Sequence, residues 1–120
     1  MKRRSILRLL SFFIFLQRRK ETYQLLESKF QANLITDLKN IFPGCIVMKN
    51  DSSYIQGIPD LLVLYKDRWA ALEVKRGSNA SVRPNQKYYV NKMDDMSFSR
   101  FVYPENKEEV LNELRETFKS

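Results

Sequence analysis

The sequence predicts a single α/β domain in which helices flank a four-stranded mixed sheet. In two segments the apolar residues recur with helical periodicity, and a third segment begins with a proline that suits the first turn of a helix. Four shorter runs are rich in Val, Ile, Leu, Tyr and Trp, which favours strands. With 120 residues, 43% of them hydrophobic, the chain suffices for one compact core. The predicted order is α-β-β-β-α-β-α.

The predicted elements follow one another without internal repeats. The first helix ends at Pro43-Gly44 because this pair breaks helices. A loop rich in Gly, Ser and Asn covers residues 77–84, and Pro84 suits the first turn of the next helix. In chain order we predict a helix at 21–42, strands at 45–49, 60–65 and 69–75, a helix at 84–93, a strand at 98–103 and a helix at 107–119.

Composition limits the chemistry. The 21 Lys and Arg residues against 14 Asp and Glu give a net charge of +7, which favours a polyanionic partner. Histidine is absent from the sequence, which excludes His-based triads, HNH nucleases and HExxH zinc sites. Cys45 is the single cysteine, so no disulfide can form within the chain and we expect an intracellular, cytoplasmic setting. Catalysis would depend on carboxylates, lysine, tyrosine or a metal held by oxygens.

Residues 1–20 form a basic and apolar N-terminal extension before a domain at 21–120. Arg8 interrupts the apolar run at 6–16, and no small-residue cleavage site follows it, which argues against a signal peptide. The run is shorter than the about 20 residues that span a bilayer. A helix packed on the domain, a dimer contact, a membrane-surface anchor and a poorly ordered extension remain open. A packed or dispensable helix is preferred, and we expect no membrane partner.

Three polar residues of the second and third strands are expected to cluster. Side chains alternate along a strand, so Glu73 and Lys75 share one face. A hairpin with a two-residue loop at Asp67-Arg68 would pair Asp60 with Lys75 and Leu62 with Glu73. Asp60, Glu73 and Lys75 would then meet at one end of one face. A three-residue loop would put Asp60 on the opposite face.

The chemistry of such a cluster favours a metal. Two neighbouring carboxylates repel each other unless a cation lies between them, and their oxygens suit Mg²⁺ or Mn²⁺. The backbone carbonyl of Val74 could add a ligand. Lys75 could orient a water or stabilise a pentacovalent phosphate. An isolated Glu-x-Lys is more often a solvent-facing stripe, so the interpretation depends on the whole pattern.

That pattern resembles a known superfamily. Pro59-Asp60 followed by Glu73-Val74-Lys75 reproduces the PD-(D/E)xK motif of restriction-endonuclease-like nucleases, whose αβββαβ core is similar to the predicted order. The closer resemblance is to the virus-type replication-repair nuclease domain (VRR-NUC), which is related to Holliday-junction resolvases. The similarity covers residues 21–103, and its elements are Glu27 with Gln31, Gly57 to Asp60, Glu73 to Lys75, and Pro84 with Gln86.

The resemblance implies roles for these residues. Asp60 and Glu73 would be metal ligands and Lys75 the catalytic lysine, with Mg²⁺ as cofactor and Mn²⁺ as its substitute. Glu27 would reach the metal or its waters from the first helix, although Glu21 on the same helix is the alternative. Gln86 would line the site, or equally cap its helix.

We therefore expect a metal-dependent endonuclease that hydrolyses DNA, is selective for branched structures and acts as a homodimer. Such a protein is compatible with a phage origin and has no small-molecule substrate. The alternatives are a sequence-specific restriction or homing endonuclease, a non-catalytic nucleic-acid-binding domain, and a membrane-associated basic protein. Tyrosines 54, 88 and 89 could stack on bases. The basic residues expected to contact nucleic acid are Lys49, Arg76, Arg83 and Lys87.

Overall fold

A long helix, a four-stranded sheet and two further helices make up the computed structural model, which describes residues 2–119. The predicted α/β class and the α-β-β-β-α-β-α order are confirmed. The elements are α1 (Lys2–Ile41), β1 (Ile46–Lys49), β2 (Leu61–Tyr65), β3 (Arg68–Val74), α2 (Pro84–Met96), β4 (Ser99–Val102) and α3 (Lys107–Lys119).

The sheet is mixed, as predicted, with the strand order β1-β2-β3-β4. The first three strands are antiparallel, and β4 runs parallel to β3. A parallel neighbour requires a crossover, and α2 provides it. The carboxyl ends of β3 and β4 therefore lie at the same edge of the sheet, where β2 begins.

The β2–β3 hairpin differs from its prediction by two residues. Tyr65 pairs with Arg68 and Leu62 pairs with Ala71, so the loop is Lys66-Asp67 and not Asp67-Arg68. Lys66 has a φ of 57°, a left-handed conformation that ends the ladder before this residue. The predicted pairing of Leu62 with Glu73 and Asp60 with Lys75 is wrong. A shift of two residues preserves the face of every side chain, since the strand period is two.

The hydrophobic core lies on one face of the sheet, between the strands and the helices α1 and α3. The predicted buried stripe of α3 is confirmed. In α1, Leu34 and Leu38 are fully buried. Leu26, predicted as part of the same stripe, is half exposed because α1 has left the sheet at this point. The core cluster comprises Leu34, Leu38, Phe42, Leu61, Val63, Ala70, Leu72, Val74, Phe98, Val102, Val110, Leu111, Leu114 and Phe118.

Helix α1 extends well beyond the sheet towards its N-terminus. It runs unbroken across the boundary that we predicted after residue 20, and the longest dimension of the molecule is 69 Å. Residues 3–22 are all exposed, so a helix packed on the domain is wrong, whereas a dispensable helix, the other half of the preferred interpretation, stays a prediction. Within residues 2–119, none of the helices has the length and apolar character needed to cross a membrane.

Two glycines with the same backbone conformation differ in their surroundings. Gly44 and Gly57 both have a φ of 88°. A Cβ at Gly57 would lie 2.7 Å from the backbone carbon of Asn85 in α2, whereas a Cβ at Gly44 would have no atom within 4 Å. The loop before β2 therefore contacts the first turn of α2 closely, which only glycine allows.

We predict that Gly57→Ala lowers the free energy of unfolding by about 3 kcal/mol, because backbone strain adds to overpacking. Gly44→Ala, the matched control, carries only the strain of about 1 kcal/mol. Urea unfolding of both variants measures the difference. Equal losses in the two variants would contradict the close contact with α2.

Candidate active site

The ends of β2 and β3 position the two central carboxylates. Leu61 pairs with Leu72, so Asp60, one residue earlier, lies opposite Glu73 in this antiparallel register. The Asp60 Oδ2 atom accepts a hydrogen bond of 2.9 Å from the backbone N–H of Val74. The structure thus places Asp60 beside Glu73.

The segment before Asp60 is held by backbone contacts. The backbone N–H of Asn50 donates to the Asp60 carbonyl at 2.8 Å, and the Asn50 side chain donates to the carbonyl of Pro59 at 2.8 Å. Pro59 is fully buried. These contacts continue the β1–β2 pairing by one residue and fix the position from which the Asp60 side chain projects.

Lys75 follows β3 and is nearly buried, with 9% of its surface exposed. Its Nζ atom donates to the carbonyl of Ser81 at 3.0 Å and to Gln86 Oε1 at 2.9 Å. The same Gln86 oxygen accepts from the backbone N–H of Arg83 at 3.0 Å, which caps the start of α2. Gln86 therefore does both things that the sequence left open: it caps its helix and it contacts the site.

The electrostatics of Glu73 are unusual for a carboxylate. Its side chain is 3% exposed. Burial, followed by a hydrogen bond with Asp60 and the charge of Asp60, raises the pKa of Glu73 to about 9, although the ammonium group of Lys75 acts in the opposite direction. Among the ion pairs of residues 2–119, none joins Lys75 to these carboxylates.

Glu27 faces the same group from α1. Burial and the charge of Asp60 raise the pKa of Glu27, while Lys75 and Arg76 lower it. Glu21, the alternative acid, is exposed six residues earlier, and its side chain accepts a hydrogen bond from Gln17 instead. The structure therefore brings Glu27, and not Glu21, to the cluster.

A cleft of about 560 Å³ joins these residues to solvent. The predicted Arg76 and Arg83 line it, whereas Lys49 and Lys87 are exposed and lie outside its lining. An adjoining hollow of about 300 Å³ is lined by residues of the 52–58 loop and by Asn85. The cleft lining is Lys20, Tyr23, Gln24, Glu27, Ser52, Asp60, Glu73, Lys75, Arg76, Ala80, Ser81, Arg83 and Gln86.

Three lining residues of α1 were missed by sequence reasoning. Lys20, Tyr23 and Gln24 precede Glu27 by seven, four and three residues, so they share its side of the helix. This spacing was the available signal. The Arg76 guanidinium lies 3.9 Å from the centre of the Tyr23 ring, and Arg19 donates to the Tyr23 hydroxyl at 2.6 Å. Tyr23 thus connects the wall of the cleft to the projecting part of α1.

The donor set suits an oxygen-preferring divalent cation. Within residues 2–119, no group of three or more His, Cys, Asp or Glu side chains is arranged to hold a metal ion. The carboxylates of the cluster are the Asp60–Glu73 pair, with Glu27 facing it from α1. The Val74 N–H points towards Asp60, and its carbonyl faces the same side of β3. Carboxylate and carbonyl oxygens are the ligands that Mg²⁺ prefers, and a cation would offset both the burial and the repulsion that raise the pKa of Glu73.

Comparison with known proteins gives no match: no protein-family model, no curated protein and no solved structure is significantly similar to this chain. The resemblance to VRR-NUC domains therefore stays a prediction that depends on the motif residues themselves.

We predict that the metal-free protein loses stability as pH rises. The pKa of Glu73 is higher in the folded state, about 9, than the ordinary 4.5. Between these values the folded protein retains a proton that the unfolded chain releases, so the free energy of unfolding falls by up to about 1.4 kcal/mol per pH unit. Glu73→Gln should remove this slope and raise the melting temperature at pH 8.

Thermal unfolding in EDTA from pH 6 to pH 8 measures this slope. Glu116→Gln, at an exposed position of α3, is the control and should keep the wild-type slope. Parallel curves for wild type and Glu73→Gln would show that Glu73 is not a buried acid.

Proposed function

We propose that this protein is a Mg²⁺-dependent endonuclease that hydrolyses phosphodiester bonds in DNA. The observation that carries the proposal is the buried Glu73 carboxyl beside Asp60, with Lys75 projecting from the same strand end into an open polar cleft. Burying acidic groups together destabilises a fold, so such a cluster marks a functional site more often than a structural one. The PD-(D/E)xK resemblance of the same residues supports the assignment.

The residues of the cluster have distinct roles in this proposal. Asp60 and Glu73 hold the cation, with the Val74 carbonyl as a further ligand and Glu27 as the acid that faces them from α1. When bound, a divalent cation supplies the positive charge that activates water and offsets charge developing on the phosphodiester. Lys75 donates hydrogen bonds to the phosphate oxygens or to the attacking water. Its two present acceptors, Ser81 and Gln86, keep the ammonium group at the cleft wall.

Groups around the cluster provide contacts for the nucleic-acid backbone. Arg83, Arg76 and Lys20 line the cleft, and guanidinium groups suit bidentate contacts to phosphate. The first turn of α2, at Asn85 and Gln86, also faces this space, so the dipole of the helix adds positive potential there. Lys49 and Lys87, outside the cleft, would contact only a substrate that extends over the rim.

The size of the domain and the two strands of a DNA duplex favour a structure-selective homodimer. A domain of about 100 residues offers little surface for reading a long base sequence, so recognition of a branched or nicked structure is favoured over restriction-type specificity. Cleavage of two strands would require two sites, and a homodimer would supply them. The substrate would be intracellular DNA, and Mn²⁺ would replace Mg²⁺.

We predict that the protein cuts DNA in Mg²⁺ or Mn²⁺ but not in EDTA, and that Asp60→Asn, Glu73→Gln and Lys75→Met each lower the cleavage rate at least about 100-fold. The carboxylate variants should bind DNA as well as wild type, or better, because they remove negative charge near the phosphates. Single-turnover cleavage of a labelled panel, comprising linear duplex, nicked duplex, single strand and four-way junction, measures the effect.

Asp95→Asn and Lys29→Gln are the controls, since both residues are exposed and lie outside the cleft. Wild-type rates in Asp60→Asn would exclude this site. Binding without cleavage in all metals would instead identify a non-catalytic nucleic-acid-binding domain.

We predict that Gln86→Ala slows cleavage by about 10- to 100-fold, the range for residues that orient a catalytic group through hydrogen bonds. The variant removes the acceptor that holds Lys75 at 2.9 Å. Gln86→Glu keeps an acceptor for Lys75 and should retain most of the wild-type rate. A purely structural role of Gln86 would not predict this difference between the two variants. Asn91→Ala, on an exposed part of α2, is the control, and equal rates in Gln86→Ala and Asn91→Ala would contradict the positioning role.

A further inference from the structure

The excess of positive over negative charge in this protein comes from one segment. Residues 1–20 contain seven Lys and Arg and no Asp or Glu, whereas residues 21–120 contain 14 Lys and Arg and 14 Asp and Glu. The whole net charge of +7 therefore belongs to the extension, and the remaining domain is formally neutral. We name the helical part of this segment, residues 2–20 of α1, the basic arm.

The basic arm also exposes large apolar side chains. Nine of them are between 42% and 63% exposed, although burying each would stabilise the molecule by about 1.5 to 3 kcal/mol. Contiguous apolar surface of this kind marks an interaction site. The nine residues are Ile6, Leu7, Leu9, Leu10, Phe12, Phe13, Ile14, Phe15 and Leu16.

Most of the basic residues and most of the apolar residues lie on different faces of the arm. Arg4, Arg8, Ser11 and Arg19 recur at spacings that place them on one side of the helix, with Phe15 as the apolar exception among them. The other eight apolar residues cover more than half of the circumference at 3.6 residues per turn. The arm is thus an amphipathic helix with a wide apolar face, into which Arg3 and Lys20 fall at its two ends, and a narrower face on which the charged residues are all cationic.

Three kinds of surface could cover the arm, and only one fits both faces. A DNA backbone matches the charge but would leave large apolar side chains against phosphates. A second copy of the arm matches the apolar face but brings two segments of +7 together, which like charges oppose. An anionic lipid surface receives apolar side chains at the depth of the acyl chains and holds cationic ones at the headgroups.

We propose that the basic arm binds the surface of an anionic lipid bilayer, lying in its plane with the apolar face inserted. This departs from the expectation, drawn from the short apolar run, that membranes are not a partner. At 1.5 Å per residue the arm is about 28 Å long, and it projects from the sheet. The cleft at its base therefore stays open to water while the arm is bound.

Vesicle flotation of the full chain tests the proposal without depending on phosphodiester cleavage. The probes are vesicles of pure phosphatidylcholine and vesicles with 30% phosphatidylserine. Wild type should float with the anionic vesicles at least about 10-fold better than with neutral ones. High salt should weaken this binding because the attraction is partly electrostatic.

Two double variants separate the contributions of the faces. Leu9→Ser with Phe13→Ser should lower the partition coefficient at least about 100-fold by removing two inserted side chains. Arg4→Gln with Arg8→Gln should lower it about 30-fold, since each basic residue near an anionic surface contributes roughly a factor of five.

The chain offers matched controls for both variants. Leu25→Ser with Met96→Ser removes two apolar residues that are each 68% exposed outside the arm. Lys29→Gln with Lys119→Gln removes two charges at exposed positions of the domain. Both controls should float like wild type, and circular dichroism should show an unchanged helix content in all variants.

Three outcomes would overturn the proposal. One is equal binding to neutral and anionic vesicles, or binding to neither. Another is a dimer in sedimentation equilibrium that Leu9→Ser with Phe13→Ser dissociates and that excludes vesicle binding, because a second copy would then cover the arm. The third is loss of duplex DNA binding in Arg4→Gln with Arg8→Gln without any vesicle binding by wild type, which would assign the arm to nucleic acid.

Discussion

The pairing of Leu61 with Leu72 is the contact on which the candidate site depends. Both side chains are fully buried on the core face, and this fixes the residues beside them, Asp60 and Glu73, on the opposite face. A slip of one residue would expose the leucines and bury the acids in the core, so the hydrophobic effect sets the register that the chemistry needs. The left-handed Lys66 ends the ladder and makes this register compatible with a two-residue loop.

The polar face is held together by side chains and loops that lie outside the hydrophobic core. Asn50 holds the backbone before Asp60, Gly57 fits against Asn85, and Gln86 connects Lys75 to the start of α2. These contacts satisfy backbone and ammonium groups, whereas no ion pair within residues 2–119 reaches the two neighbouring carboxyl groups. Such an arrangement costs stability when the acids are charged. The proposed function accounts for this cost, because a cation bound between the two carboxyl groups would offset it.

Sequence reasoning reached the fold and the face of the site for one physical reason. The spacing along the chain determines the face on which a side chain lies. Residues an even number of positions apart share a face of a strand, and residues about a turn apart share a face of a helix. The pairing of Asp60 was therefore predicted with the wrong partner yet on the right face. The positive φ of Lys66 could not be predicted because lysine seldom adopts it. The α1 stripe was predicted too long because periodicity does not show where a helix leaves its sheet.

The segregation of charge changes what the net charge of +7 means. Taken as a whole, that charge favoured nucleic acid as the partner of the domain, but the domain is formally neutral and the arm carries the excess. Binding of phosphates at the cleft would therefore depend on a few local groups, namely Lys75, Arg76, Arg83 and Lys20. The salt dependence of binding scales with the number of phosphates that are neutralised. A cleft with four cations implies a modest dependence and an arm with seven implies a steep one, so the two surfaces differ in this property although Lys20 belongs to both.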